Sequence, residues 1–407
     1  MRRFAPFIII GISLLTMACG SLGRLVSQAV PTPEVIIITA TPQKGADQEV
    51  SLQLTETPVA LDTAPTADTS VATPEPAPAP ASIGESTLVA VQSRGVLNCG
   101  VNADLPGFGF YDAVRKRWTG FDVDFCRVIA AAVLGDANKV NFVPVTTNDG
   151  PNERFTAIRS KLVDVVIRNT TWTASRDGSG LMFGPTTFHD GQTFLVTKKS
   201  GIKTLEDLRD KRICASAGTT SLINLRDDFA ARGITFEAVE INGENVLYQS
   251  YLDGKCDAVT SDSSQLAVQR VNFPKPDDHI ILGDRISREP LGPVMAEGDD
   301  QWYDIVSWSV YATMYAEELR VDRSNVDEML TTSKDPRVLR LLGAEGKIGS
   351  QFGLAPDFGY QIVSQVGNYG DIYNTNLGPT TMFNIDRGPN KAWNLGGGGV
   401  LASPPFR

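Results

Sequence analysis

The sequence predicts an α/β protein of two lobes, each built on a mostly parallel sheet, over residues 94–407. Three observations carry this. Strand-like and helix-like runs alternate from Arg94 onward, the alternation restarts as a second set at Phe194, and the chain becomes mainly helical after Glu289.

The first set opens with the strand VLNCGVN and the amphipathic helix DVDFCRVIAAAVLG. The strand VNFVPVT, the helix ERFTAIRSKL and the strand VDVVIRN follow. The second set runs FLVTKK, the helix TLEDLRDK with Thr204 as its N-cap, the strand RICASAG, the helix TTSLINLRDDFAARG and the strand TFEAVEI. It continues with a helix around NVLYQSYLDGK, the strand CDAVTSD, the helix SSQLAVQRV and the strand HIILG. Beyond it, DDQWYDIVSWSVYATMYAEEL is the longest helix candidate. No short tandem repeat is present.

The 407 residues, 42% of them hydrophobic, suffice for a sizeable core. A net charge of −10 without clustered Lys and Arg excludes a nucleic-acid surface, because phosphate neutralisation requires concentrated positive charge. Residues 1–19 read as a signal peptide, with Arg2 and Arg3 before an apolar run through Leu15. Cys19 then stands where a bacterial lipoprotein carries its lipid, with Thr16 in place of the usual Leu; a plain cleaved signal or a retained anchor is the alternative. Residues 20–85, rich in Pro, Thr and Ala, read as a disordered tether, since such a segment buries too little apolar surface to offset its ordering entropy. Its one apolar interruption, VIIIT at 35–39, has no functional account.

Export to an oxidising compartment permits disulfides among Cys99, Cys126, Cys214 and Cys256. Cys99 ends a strand and Cys126 lies on the next helix, while Cys214 and Cys256 each lie within or open an apolar strand, RICASAG and CDAVTSD. That favours Cys99 with Cys126 and Cys214 with Cys256 over four buried thiols. No C-x-x-C occurs and only His189 and His279 are available, so no metal site is expected.

Functional groups in open α/β sheets gather at loops after the carboxyl ends of strands. Three such loops stand out: NTTWTASR at 169–176, AGTTS at 217–221 and TSDSS at 260–264. Together they hold one guanidinium, Arg176, one carboxylate, Asp262, and the hydroxyls of Thr171, Thr173, Thr219 and Thr220. That inventory suits a zwitterion: the planar fork of Arg matches a carboxylate, Asp receives an ammonium, and the N–H groups opening the 219 helix share the anionic end. Each residue also has a plainer role. An arginine after a strand is more often a surface ion pair, Asp262, Thr219 and Thr220 read also as helix caps, and Trp172 as core packing.

The segments LPGFG, WTGFDVDFCRVIAAAVLGD, RNTTWTASRD, SAGTT, GKCDAVTSDSSQL, EPLGPVM, GDDQWYDIV and QVGNYGDIY, in that order over residues 94–407, resemble the solute-binding proteins of general L-amino-acid ABC transporters, family 3, polar amino acid type. The resemblance implies a type II periplasmic-binding-protein-like fold hinged by two crossover segments, with lobe 1 at 94–191 plus 289–407 and lobe 2 at 192–288. It implies a membrane-anchored, extracytoplasmic monomer that closes on one free L-amino acid and hands it to a permease, with no cofactor and no catalysis. It places Arg176 on the ligand carboxylate and Asp262 on its ammonium, with Asn169, Thr171, Thr173, Thr219 and Thr220 beside them and Phe108 near the ligand side chain. The insert-like NDGPNERF, 148–155, departs from the family pattern. An amino-acid-sensing receptor component and a dehydratase-like enzyme, with Glu153 or Asp104 as its acid or base, are the alternatives. His189–Asp190 reads as part of a lobe-crossing strand.

Overall fold

The computed structural model describes residues 86–148 and 150–407. The signal peptide, Cys19, the tether and the VIIIT segment lie outside the described residues.

Two five-stranded sheets share one plan. In the first, Val140–Pro144, Leu97–Val101 and Val165–Val166 run parallel. Val294–Ala296 then lies antiparallel between Val165–Val166 and Leu181–Phe183. In the second, Phe236–Ile241, Lys211–Ser216 and Ala258–Asp262 run parallel. Gln192–Thr197 lies antiparallel between Ala258–Asp262 and His279–Ile281. Each sheet therefore has four strands pointing one way and one against, so each lobe is mostly parallel in direction.

The reversed strand in each case follows a crossing between the sheets. Phe188–Asp190 precedes Gln192–Thr197, Glu289–Leu291 precedes Val294–Ala296, and the two crossing segments pair antiparallel as a separate two-stranded ribbon. The C-terminal segment braces this ribbon: Asn390 accepts from the His189 N–H and donates to the His189 carbonyl, and the Tyr369 hydroxyl donates to the Thr187 carbonyl. A hinge so clamped confines relative motion of the lobes to few backbone torsions.

Side-chain alternation along the strands builds a core on each face. In the second sheet Phe194, Val196, Ile213 and Ala215 enter one cluster, while Leu195, Cys214 and Val259 enter the other. In the first, Leu97, Cys99 and Val101 join the largest core, and Val166 and Val294 the opposite one. The helix Phe121–Leu134 is buried on nearly every side because Asp300–Glu318 and Phe358–Gln365 pack over it. Its entry requires glycine: Gly120 has φ +134°, and a Cβ there would lie 2.0 Å from the Phe108 carbonyl oxygen.

Two disulfides, Cys99–Cys126 and Cys214–Cys256, join the expected partners. The segment TLEDLRDK forms only a 3₁₀ turn, Glu206–Leu208. Thr204 does not cap it; instead the Asp207 carboxylate accepts from the N–H groups of Lys203 and Thr204 and from the Thr204 hydroxyl, consuming the turn locally. A three-stranded meander, Asp104–Leu105, Gly109–Asp112 and Arg117–Thr119, fills a stretch for which the sequence predicted no element. No described helix is long and apolar enough to cross a membrane.

Candidate functional site

The carboxyl ends of the parallel strands of both sheets face one another across a cleft of about 500 Å³, its open mouth included. Asn169, Thr171 and Arg176 line it from the first lobe, and Thr219, Thr220 and Asp262 from the second.

Arg176 sits on the short helix Ala174–Asp177, whose N-cap Thr173 accepts from the Arg176 N–H. One guanidinium nitrogen donates to the Thr171 carbonyl at 2.7 Å, and the Phe155 ring lies 5.3 Å beneath the group. Among the described residues it makes no ion pair. Burial pulls its pKa down from the usual arginine range, opposed by Glu289 and Asp262.

Asp262 ends the strand Ala258–Asp262 at the cap position of the helix Ser263–Val271, yet its side chain makes no cap bond. That carboxylate is buried, and its pKa is pushed well above the ordinary range by burial first, then by Asp190 and Glu289; Arg154 and Arg176 pull the other way. A free carboxylate in such a place favours a cation brought in from outside.

The hydroxyls have a narrower role than their composition suggested. Thr171 and Thr220 both donate to Glu289, and Thr219 donates to the Ser216 carbonyl while capping the helix Thr220–Arg232 through the Leu222 N–H. With its one proton spent within the protein, each offers only lone pairs to a ligand. Donors for an anion therefore come from Arg176 and from the first-turn N–H groups at Thr220 and Ser221, which no intrahelical acceptor satisfies. Asn169 donates to Gln265 at 2.9 Å, leaving its buried carbonyl oxygen without a partner.

Two predicted residues lie away from the cleft lining. Thr173 caps its helix, and Phe108 is sealed in the first core, 1% exposed, edge-on to Phe121 and Phe188. Trp172 stacks on Phe183 and stays 43% exposed.

Sequence reasoning missed Arg154, Asp190, Glu244, Gln265 and Glu289. Arg154 lines the cleft, 3% exposed; it donates to the Thr170 hydroxyl and lies 4.9 Å over Phe155, and among the described residues it has no ion pair and its Nε no partner. Burial lowers its pKa well below the usual range. In the sequence it stood inside NDGPNERF, at a helix start that reads as solvent face. Glu289 ties the lobes, accepting from Thr171 of one and Thr220 and Asn224 of the other. Glu244 does likewise, accepting from Asn102 at 3.0 Å and from Gln265 at 2.6 Å. Among the described residues no cluster of His, Cys, Asp and Glu is arranged to hold a metal ion.

Two mixed sheets of one plan, a double crossing and a polar cleft with separate anion-facing and cation-facing groups define a hinged two-lobe binding protein. The comparisons agree. Residues 97–320 match the family of bacterial extracellular solute-binding proteins, family 3, and the chain belongs to that family. It is 43% identical over 325 residues to the general L-amino acid-binding periplasmic protein AapJ of Rhizobium johnstonii, covering 79% of this chain and 93% of that protein. It is 42% identical over 323 residues to the glutamate/glutamine/aspartate/asparagine-binding protein BztA of Rhodobacter capsulatus, covering 79% and 94%. A solved ABC transporter periplasmic binding protein from Brucella ovis, with glutathione bound, superposes with a TM-score of 0.76 at 42% identity, covering 80% of this chain and 100% of that one.

Proposed function

We propose that this protein binds free L-amino acids outside the cytoplasm and delivers them to the permease of an ABC transporter. The observation that carries the reading is the pairing, in one cleft, of Arg176, a guanidinium without an ion pair among the described residues, and Asp262, a buried carboxylate without a hydrogen bond among them. Arg176 and the N–H groups opening the helix Thr220–Arg232 take the α-carboxylate. The α-ammonium meets the Asp262 carboxylate, the Thr171 lone pairs and the carbonyl oxygen of Asn169.

Lobe 1, residues 94–191 with 289–407, and lobe 2, residues 192–288, close about the ribbon as a monomer. A lipid on Cys19 holds the protein at the membrane. The ligand leaves unchanged, since the cleft supplies affinity without a proton donor and acceptor set about a scissile bond.

A thermal-shift panel of the twenty L-amino acids on the whole protein tests this. A ligand at 100 times its Kd stabilises by about 2.7 kcal/mol. If none of the twenty raises the melting temperature, the reading fails; if mass spectrometry finds the incubated ligand altered, the binding-only role fails.

A further inference from the structure

Glu289 stands in the crossing ribbon between the lobes, opposite Asp190 and 2% exposed. Four donors surround its carboxylate. One oxygen accepts from the hydroxyls of Thr171 and Thr220, and the other from the Ser287 hydroxyl and from the Asn224 amide at 2.7 Å. A carboxylate offers about four lone-pair sites and no proton, so these four donors fill it and each must point its hydrogen at Glu289.

We propose that Glu289 is a specificity-determining residue: by holding the Thr171 and Thr220 protons away from the ligand, it makes the cleft select an α-ammonium over an α-carbonyl. The inference rests on the amino-acid reading above and names the group that enforces one part of it. Thr171 and Thr220 line the cleft from opposite lobes, their hydroxyl oxygens 3.4 Å apart. With both protons on Glu289 they present only lone pairs, which accept from an ammonium and repel the oxygen of a 2-oxo acid. Asp262 attracts the positive charge, and Glu289 fixes the hydrogen-bond polarity of the wall beside it.

That polarity is anchored in the backbone, two side chains away. Gln192, fully buried, donates its amide hydrogens to the Ser221 carbonyl at 2.8 Å and to the Thr260 hydroxyl at 2.9 Å. The Ser221 carbonyl cannot donate, and the Thr260 proton goes to the Thr193 carbonyl, so the Gln192 amide cannot turn over. Its oxygen therefore faces Asn224, whose NH₂ donates both to Gln192, at 3.1 Å, and to Glu289. In Glu289→Gln this series leaves one orientation, with the new amide oxygen toward Asn224 and its NH₂ toward the two threonines. The NH₂ then donates to both hydroxyl oxygens. The threonines can pass at most one proton between themselves, and the other turns into the cleft.

Calorimetry on the whole protein with two matched pairs, L-alanine with pyruvate and L-glutamate with 2-oxoglutarate, tests the proposal. Wild type is expected to bind at least one of the amino acids, and its 2-oxo acid at least about tenfold more weakly. In Glu289→Gln the ratio of the two affinities should move by about tenfold or more toward the 2-oxo acid, which itself binds more tightly than to wild type. Loss of negative charge alone would move the ratio the same way, so the hydroxyls are removed as well: adding Thr171→Val and Thr220→Val to Glu289→Gln should cancel the 2-oxo acid's gain. A smaller change of ratio, a 2-oxo acid that binds no better, or a gain that survives removal of both hydroxyls overturns the inference. If Glu289→Gln does not fold, Thr171→Val alone decides: the amino acid should weaken by about fivefold or more and the 2-oxo acid not at all, and equal weakening of both overturns it. Wild type that binds neither alanine nor glutamate overturns this inference too, whereas failure of all twenty amino acids in the thermal panel overturns the amino-acid reading itself.

Discussion

Ser264 donates its backbone N–H and its hydroxyl to Asp190, while Asp262, at the cap position of the same helix, caps nothing. A residue from the crossing ribbon thus does the capping and leaves the cleft carboxylate free. The two acids should separate on substitution. Asp262→Asn keeps the shape and is expected to abolish measurable amino-acid binding, because an enclosed ammonium then lacks its counter-charge. Asp190→Asn is expected to retain binding but to lose about 1 kcal/mol of stability with its cap. Calorimetry and denaturant unfolding of both variants check this, and wild-type affinity in Asp262→Asn rejects the site.

Binding should release a proton. Burial, with Asp190 and Glu289 alongside, holds the Asp262 pKa well above the usual carboxylate range. An arriving ammonium favours the ionised form, so the ligand drives the proton off. At a pH below the raised pKa, affinity rises with pH by up to about tenfold per unit and flattens once Asp262 is ionised in the free protein. Titration in two buffers of different ionisation enthalpy reads the proton directly. Identical heats in both buffers would contradict the assignment.

Arg176→Lys keeps the charge and discards the planar fork, so every amino acid that wild type binds is expected to weaken by at least about tenfold without loss of fold. Arg154→Met should divide differently. Its charge is buried without an ion pair, so removal is expected to leave stability unchanged or improve it while weakening ligand binding. Melting curves beside calorimetry decide; a strongly destabilised Arg154→Met with normal binding would assign that guanidinium to structure alone.

Much of the architecture was legible because burial writes itself locally. The alternation along RICASAG has one period, and that period fixes which sides meet a core, whereas the helix read as amphipathic in DVDFCRVIAAAVLG is buried on nearly every side. Arg176, Asp262, Thr171, Thr219 and Thr220 were legible as cleft residues for another reason: they follow strands of strong apolar character. Glu244, Glu289 and Arg154 were not, since an isolated charge at an element's start has the same local signature whether it faces water or another lobe. Phe108 failed in the opposite direction. Nothing in LPGFGF distinguishes an aromatic that lines a cleft from one that Phe121 and Phe188 enclose.

Each disulfide lies within one lobe, and the partners are 27 and 42 residues apart. Loop-closure entropy predicts that each contributes about 3 to 4 kcal/mol, chiefly by restricting the unfolded chain. Replacing either pair with serines should therefore lower the unfolding midpoint without abolishing binding. Non-reducing peptide mapping should recover Cys99 with Cys126 and Cys214 with Cys256; any bridge between the pairs contradicts the fold.

Asp122 makes a prediction about stability alone. It lies within the Phe121–Leu134 helix, 4% exposed, with one carboxylate oxygen lacking any partner. Burial lifts its pKa to about 7, with Arg168 opposing. In the unfolded chain the group ionises near its ordinary value of 3.8. Between these limits the folded state holds a proton that the unfolded state has lost, so stability is fully present below the lower value and declines as pH rises toward the upper. Burial raises Asp190, Glu244 and Asp262 likewise, so wild type should still show a slope when Asp122 is replaced. The informative quantity is the difference between wild type and Asp122→Asn, which keeps the shape and cannot ionise. That difference should be constant below about pH 4 and then shift in favour of the variant by up to about 4 kcal/mol near pH 8. Denaturant unfolding across this range measures it, and a pH-independent difference would show that Asp122 titrates alike in the native and unfolded states.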